Sequence, residues 1–281
     1  MSSISVNTKW VQDGITIAGG QGEGDELNQL RYPCDLYVDD DGTLFISDRG
    51  NHRVVEWKSD ARSGQVVAGT NSEVNPANQL HFPCHVIADK VTNNLIIYDD
   101  ATRQVMRWPR RSGESRKIII ENIACTGLTM DDQKFLYVSV GQKDEVRRYE
   151  LTPDGVVDTN GTVVAGGHGR GDGLNQLNFP NNVFVGQDHS VYISDTGNHR
   201  VMKWEKGAPE GTIVAGGQGK GDALTQLSKP QGLLVDSFGT VYVADSENHR
   251  VMCWYNGAES GTVIFGRNGQ GKEAGQLNYP M

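Results

Sequence analysis

Written as apolar and polar positions, the chain is a succession of short apolar runs separated by glycine, aspartate and asparagine, with no stretch at helical spacing. Continuous triplets come first: LYV at Leu36 to Val38, VFV at Val183 to Val185 and LLV at Leu233 to Val235. Each is followed by a turn and an alternating segment, TLFIS from Thr43, SVYIS from Ser190 and TVYVA from Thr240. A third segment ends in Trp57, Trp204 or Trp254, and after a glycine turn a fourth reads VVAG, IVAG or VIFG. The pattern predicts units of four short strands with turns roughly ten residues apart.

The units recur at a fixed period. Prolines open them at Pro33, Pro83, Pro180, Pro230 and Pro280, and Pro33/Pro83, Pro180/Pro230 and Pro230/Pro280 are each 50 residues apart. The longer gap between Pro83 and Pro180 holds one further unit that opens at Ala124. Four-stranded units of roughly 40–50 residues predict an all-β propeller, because one such sheet cannot bury both faces and its neighbours must stack on it. The expectation is a single domain over 1–281, with five blades at 33–68, 83–119, 124–165, 180–215 and 230–265.

Between the second and third strands of three units lies nearly the same heptad: DRGNHRV at Asp48, DTGNHRV at Asp195 and DSENHRV at Asp245. The residues invite an acid–base reading, but a catalytic site is built once and these would lie far apart around a ring. Asp48, Asn51, His52, Arg53, Asp195, Asn198, His199, Arg200, Asp245, Asn248, His249 and Arg250 are therefore expected to be structural, satisfying backbone at the turn. The strings resemble the NHL repeat, named for Asn-His-Leu. The resemblance covers the whole chain and is eroded in two units, at Thr102-Arg103-Gln104-Val105 and at Lys143-Asp144-Glu145-Val146, where Val140 replaces the aspartate.

Propellers of that family are typically six-bladed, whereas five inner strands are present. The segment NTKWVQDGITIAGG from Asn7 matches the second half of a unit, MKWEKGAPEGTIVAGG from Met202. Residues 1–19 are thus expected to supply the outer strands of an incomplete sixth blade. Residues 266–281 would be a loop leading to its missing inner strand. On this count the chain is a piece of a longer protein whose open face favours association.

Charge and cysteine content narrow the partners. The net charge of −9 disfavours nucleic acid, which needs a basic footprint. No apolar run is long enough to span a membrane, and MSSISVNTKWVQDG lacks the apolar core of a secretory signal. The four cysteines are few for the length, so a cytoplasmic setting is favoured.

Function in a repeat protein is expected where equivalent positions differ. The residues after the opening positions are Cys34-Asp35, Cys84-His85, Cys125-Thr126, Asn181-Asn182 and Gln231-Gly232, near the mouth of a central channel. Cys34, Asp35, Cys84, His85, Cys125, Asn181, Asn182 and Gln231 are the candidate binding residues. The three cysteines are expected to be reduced, separate and metal-free, since structural zinc uses closely spaced pairs. The glycine-rich loops, GGQGKGD at Gly216 among them, lack the Gly-Lys-Ser/Thr and following helix of a phosphate cradle and are expected to be turns. Asn160-Gly161-Thr162 is a formal glycosylation sequon in an insertion expected to be an exposed loop.

The expectation is a non-catalytic NHL-repeat propeller that serves as a scaffold for protein or peptide ligands, without a cofactor. Two alternatives stand beside it. Six-bladed hydrolases and lyases place calcium or zinc on the axis, and Asp35, His85, Asn181 and Asn182 are the comparable set here. Other members of the family bind RNA or recognise substrates for ubiquitin ligases, with further domains upstream.

Overall fold

A computed structural model describes residues 10–11, 13–69, 79–110, 115–153 and 155–281. Among them the first sheet comprises β1 (Asp35–Val38), β2 (Leu44–Asp48), β3 (Arg53–Trp57) and β4 (Gln65–Ala68). The second has β5 (Pro83–Asp89), β6 (Asn94–Asp99), β7 (Gln104–Pro109) and β8 (Lys117–Ile120). The third has β9 (Gly127–Met130), β10 (Phe135–Val140), β11 (Glu145–Thr152), β12 (Gly155–Val156) and β13 (Thr162–Gly166). The fourth has β14 (Pro180–Val185), β15 (Val191–Asp195), β16 (Arg200–Trp204) and β17 (Thr212–Gly216). The fifth has β18 (Pro230–Val235), β19 (Val241–Asp245), β20 (Arg250–Trp254) and β21 (Thr262–Phe265). Each sheet is a four-stranded antiparallel meander, with β12 added to the third. The fold is an all-β propeller of five four-stranded blades.

The described residues fall into two compact units: those of 16–125 with 151–159, and those of 1–15, 126–150 and 160–281. In the first unit the two faces of β2 explain its unbroken burial. Phe45 joins Val54, Val86, Leu95, Ile97 and Met106 in one cluster. Leu44 and Ile46 turn the other way, onto Val55 and Trp57, with Ala18 and Leu30 packed against them. In the second unit, Ile193, Met202 and Trp204 pack with Tyr137, Val146 and Val183, while Tyr192 and Val201 pack with Val241, Val243, Met252 and Trp254. Adjacent blades thus share each core, and every fully buried Ile, Leu or Phe contributes roughly 1.5–3 kcal/mol.

The third strand of every blade carries a register shift against its outer strand, for example between Val201 and Met202. Such a bulge adds twist and leads the chain into the polar loop. That loop folds as a turn closed by isolated parallel bridges such as Lys220↔Leu227. Its glycines are needed where the backbone turns left-handed, at Gly217 (φ 82°) and Gly219 (φ 75°).

Two expectations are corrected. No sixth-blade remnant forms among the described residues: residues 1–9 and 12 of that expectation lie outside them, and residues 10, 11 and 13–19 contain no strand. The described part of this segment pairs with none of the five sheets, and Val11, Ile15 and Ile17 are exposed. The insertion after Glu150 is not a simple loop either. Leu151 and Thr152 pair with Val156 and Gly155, and Arg107 donates to the Pro153 carbonyl at 2.7 Å. Among the described residues no helix is long and apolar enough to cross a membrane.

Candidate functional site

The Asp-x-x-Asn-His-Arg element is a single piece of polar architecture. β2 ends at Asp48, a turn of 3-10 helix spans Arg49–Asn51, His52 takes the left-handed conformation, and β3 starts at Arg53. Asp48 is fully buried and accepts hydrogen bonds from the Arg31 N–H at 2.7 Å, Asn51 Nδ2 at 2.8 Å and Arg53 Nε at 2.7 Å. Arg53 then donates to the carbonyls of Asp25, Glu26 and Gln29, and Asn51 to that of Gly24. Asp195, Asn198 and Arg200, and Asp245, Asn248 and Arg250, repeat the arrangement. The buried carboxylate and guanidinium are paired and pin the preceding polar loop to the blade.

The histidines do something else. Nδ1 of His52 accepts the backbone N–H of Phe82 at 3.2 Å, His199 that of Lys229 at 3.1 Å, and His249 that of Tyr279 at 3.1 Å. Nδ1 must be unprotonated to accept. Burial, then the nearby Lys229 and Lys220 charges, hold His199 below the ordinary histidine range. In the unit read as most eroded, the same device survives in other chemistry. Asp144 is left-handed (φ 53°) and its carboxylate accepts the Phe179 N–H at 2.8 Å.

These acceptors hold the residue that precedes four of the five prolines, Phe82, Phe179, Lys229 and Tyr279. Tyr32, Phe82, Phe179, Lys229 and Tyr279 all have φ between 45° and 60°, where bulky residues are rarely found. The four aromatic ones are exposed. His52 and His249 meet the edges of the Phe82 and Tyr279 rings, each at 4.5 Å between centroids. The sequence shows their signal, an aromatic before four of five prolines (RYP, HFP, NFP, NYP). Apolar patterning gives this aromatic no special weight, because a strand pattern carries no record of positive φ.

The positions after the prolines differ between units. In the unit of residues 16–125 with 151–159, Cys34 Sγ and Cys84 Sγ are 3.3 Å apart, which corrects the expectation of separate thiols. Cys84 is the extra residue of a bulge between Pro83 and His85, which turns its side chain toward β1. Asp35 accepts the Val86 N–H at 3.1 Å and lies 3.4 Å from His85 Nδ1. Burial works against the His85 imidazolium, but the Asp35 carboxylate holds it above its ordinary range. Cys125 is buried and forms no disulfide. Arg49 and Asp100, overlooked in the sequence, pair at 3.2 Å beside this group.

In the other unit Asn181, Asn182 and Gln231 are half-buried. Ser194 Oγ donates to the Gln231 carbonyl at 2.5 Å, and Thr126 and Thr196 hydroxyls to the carbonyls of Pro180 and Pro230 at 2.7 and 2.6 Å. His249, Glu247, Asp222, Thr262 and Arg267 line an open cleft of about 670 Å³. An axial calcium or zinc would need converging carboxylates and imidazoles, and among the described residues no three His, Cys, Asp or Glu side chains converge so.

A family model described as the NHL repeat matches residues 30–57 and 227–254. No curated protein sequence matches the chain. Among solved structures, a structural genomics protein of unknown function from Bacteroides thetaiotaomicron is similar with a TM-score of 0.67 at 16% identity, over 94% of this chain and 66% of that one, just under two thirds of its length. A chain of the nidogen/laminin complex gives 0.64 at 14% identity, over 84% and 80%. Virginiamycin B lyase from Staphylococcus aureus gives 0.52 at 12%, over 85% and 71%. At these identities the likeness is one of fold.

Proposed function

With the chain an NHL-repeat β-propeller, we propose that it is a non-catalytic platform for protein or peptide partners. The observation that carries this reading is the display of exposed aromatics at Phe179 and Tyr279, in one of the two units, on left-handed backbone. Such a conformation costs of order 1–3 kcal/mol and persists only where its surroundings impose it. Here the histidine and aspartate acceptors of the preceding repeat impose it. Held this way, an aromatic loses little freedom on binding, and aromatics anchor interfaces disproportionately. The net charge of −9 favours a basic ligand. In this reading Asn181, Asn182 and Gln231, in the same unit, supply adaptable polar contacts, and the Asp-x-x-Asn-His-Arg elements are structural.

The test is selection of peptides on the full chain from a displayed random library, followed by calorimetry with Phe179→Ala and Tyr279→Ala. Selected peptides should be rich in Lys or Arg and lose about tenfold or more in affinity, the scale of an anchoring residue. Peptides indifferent to every aromatic replacement would remove the platform from this surface. Hydrolysis of esters or lactones that depends on added calcium or zinc would favour the enzymatic alternative instead.

A further inference from the structure

Three columns of the repeat hold complementary residues in the first two blades. Cys34 and Cys84 occupy one register, Asp35 and His85 the next, and Arg49 and Asp100 the position after the buried aspartate. Each pair meets across the two blades: the sulfurs at 3.3 Å, Oδ2 and Nδ1 at 3.4 Å, and Nη2 and Oδ2 at 3.2 Å. The later repeats lack this set. Their residues in the same columns are Cys125, Asn181 and Gln231, then Thr126, Asn182 and Gly232, then Gly141, Thr196 and Ser246.

We propose that Cys84 and Cys34 form a reactive dithiol that takes small organic disulfides as substrates and closes to a disulfide joining the first two blades. The geometry separates the roles. The two sulfurs are within hydrogen-bonding distance, so a thiol on one can stabilise a thiolate on the other, and we place the thiolate on Cys84. Arg49 and His85 lie beside Cys84, each also paired with a carboxylate (Asp100 and Asp35), and nearby cations favour a nucleophilic thiolate. Both cysteines are half-buried, so a small disulfide can reach them. The sulfurs need to close by only about 1.3 Å to reach bonding distance.

The steps balance without a further oxidant. Cys84 thiolate attacks one sulfur of RSSR, forming Cys84–S–S–R and releasing RS⁻. Cys34 passes its proton to that RS⁻, and its own thiolate attacks Cys84 sulfur and expels a second RS⁻, which takes a proton from water. Two cysteine sulfurs are oxidised and one organic disulfide is reduced to two thiols.

The titration directions agree with these roles. The hydrogen bond from Cys34, opposed by burial and helped by His85 and Arg49, pulls Cys84 down to about 7. The same bond and burial push Cys34 well up.

The experiment equilibrates the full chain with oxidised and reduced glutathione, quenches with acid, alkylates and maps the peptides. A Cys34–Cys84 disulfide should form while Cys125 and Cys253 remain alkylatable, and prior unfolding in denaturant should abolish that selectivity. Cys34→Ser should accumulate glutathione on Cys84, and Arg49→Gln should slow modification of Cys84 severalfold at pH 7. Cys34 and Cys84 left alkylatable in the wild-type chain would overturn the proposal. So would glutathione lodging on Cys34 or Cys125 in preference to Cys84.

Discussion

The Nδ1 atom of His199 accepts the backbone N–H of Lys229 at 3.1 Å, across thirty residues of chain. The bond ties the turn of one blade to the loop that opens the next, and His199 reaches it from left-handed backbone at φ 56°. Replacing His199 with Ala removes the acceptor and leaves a β-carbon where few residues sit easily. The expected loss is roughly 1–3 kcal/mol in chemical denaturation. His199→Asn should lose less, because Asn tolerates this conformation and brings an acceptor oxygen. Equal stability of His199→Ala and the wild type would mean the bond contributes nothing.

Acid should weaken the same contact. Burial and nearby lysines lower the folded-state pKa of His199, so the unfolded chain binds the proton more readily. The stability it contributes is complete above the unfolded value of about 6.5 and is lost as pH falls from there through the lower folded value. Thermal unfolding followed between pH 7.5 and 5 (about one unit either side of that value) should show a smaller decline in His199→Asn than in the wild type. An identical decline would assign the acid sensitivity elsewhere.

Asp195 is fully buried and accepts from Asn178 N–H, Asn198 Nδ2 and Arg200 Nε. Asp195→Ala leaves the Arg200 guanidinium buried without its carboxylate. A destabilisation of about 3–5 kcal/mol is expected, the range for breaking one side of a buried pair. Urea denaturation measures it, and a change under 1 kcal/mol (about the value of an exposed pair) would show that the group is solvated.

Gly216 ends β17 at φ 68°, where a Cβ would meet the His199 carbonyl oxygen at 2.6 Å. Gly216→Ala combines a disfavoured conformation with a backbone clash. It should cost more than about 1 kcal/mol, reversing the usual gain from replacing glycine. A Tm at or above the wild type would refute the close approach.

Phe179 separates stability from binding. Its ring is exposed and its backbone strained, so Phe179→Asn should be neutral or stabilising by up to about 1 kcal/mol. The same variant should weaken any peptide selected on the chain. Marked destabilisation would make Phe179 a packing residue.

Period and patterning alone determined the blades. Short apolar runs can be buried on both faces only by stacking sheet on sheet, and the spacing of Pro33, Pro83, Pro180 and Pro230 sets where four of the five sheets begin. The recurrence of Asp48, Asp195 and Asp245 with their Asn and Arg likewise marked a device rather than a single active site. Tertiary structure decided the rest. Asn7 to Gly19 matches a strand pair in sequence, but a strand exists only where a neighbouring backbone pairs with it, and the segment's described residues join none of the five sheets. Val140 and Asp144 looked like a degraded motif, although what the position requires is an acceptor on left-handed backbone, which a carboxylate supplies as well as an imidazole. The contact between Cys34 and Cys84 was hidden because a bulge, not the strand period, aims Cys84. Sequence spacing records which residues share a register. How close two equivalent residues come depends on where neighbouring inner strands converge, and that distance exists only once the blades are packed.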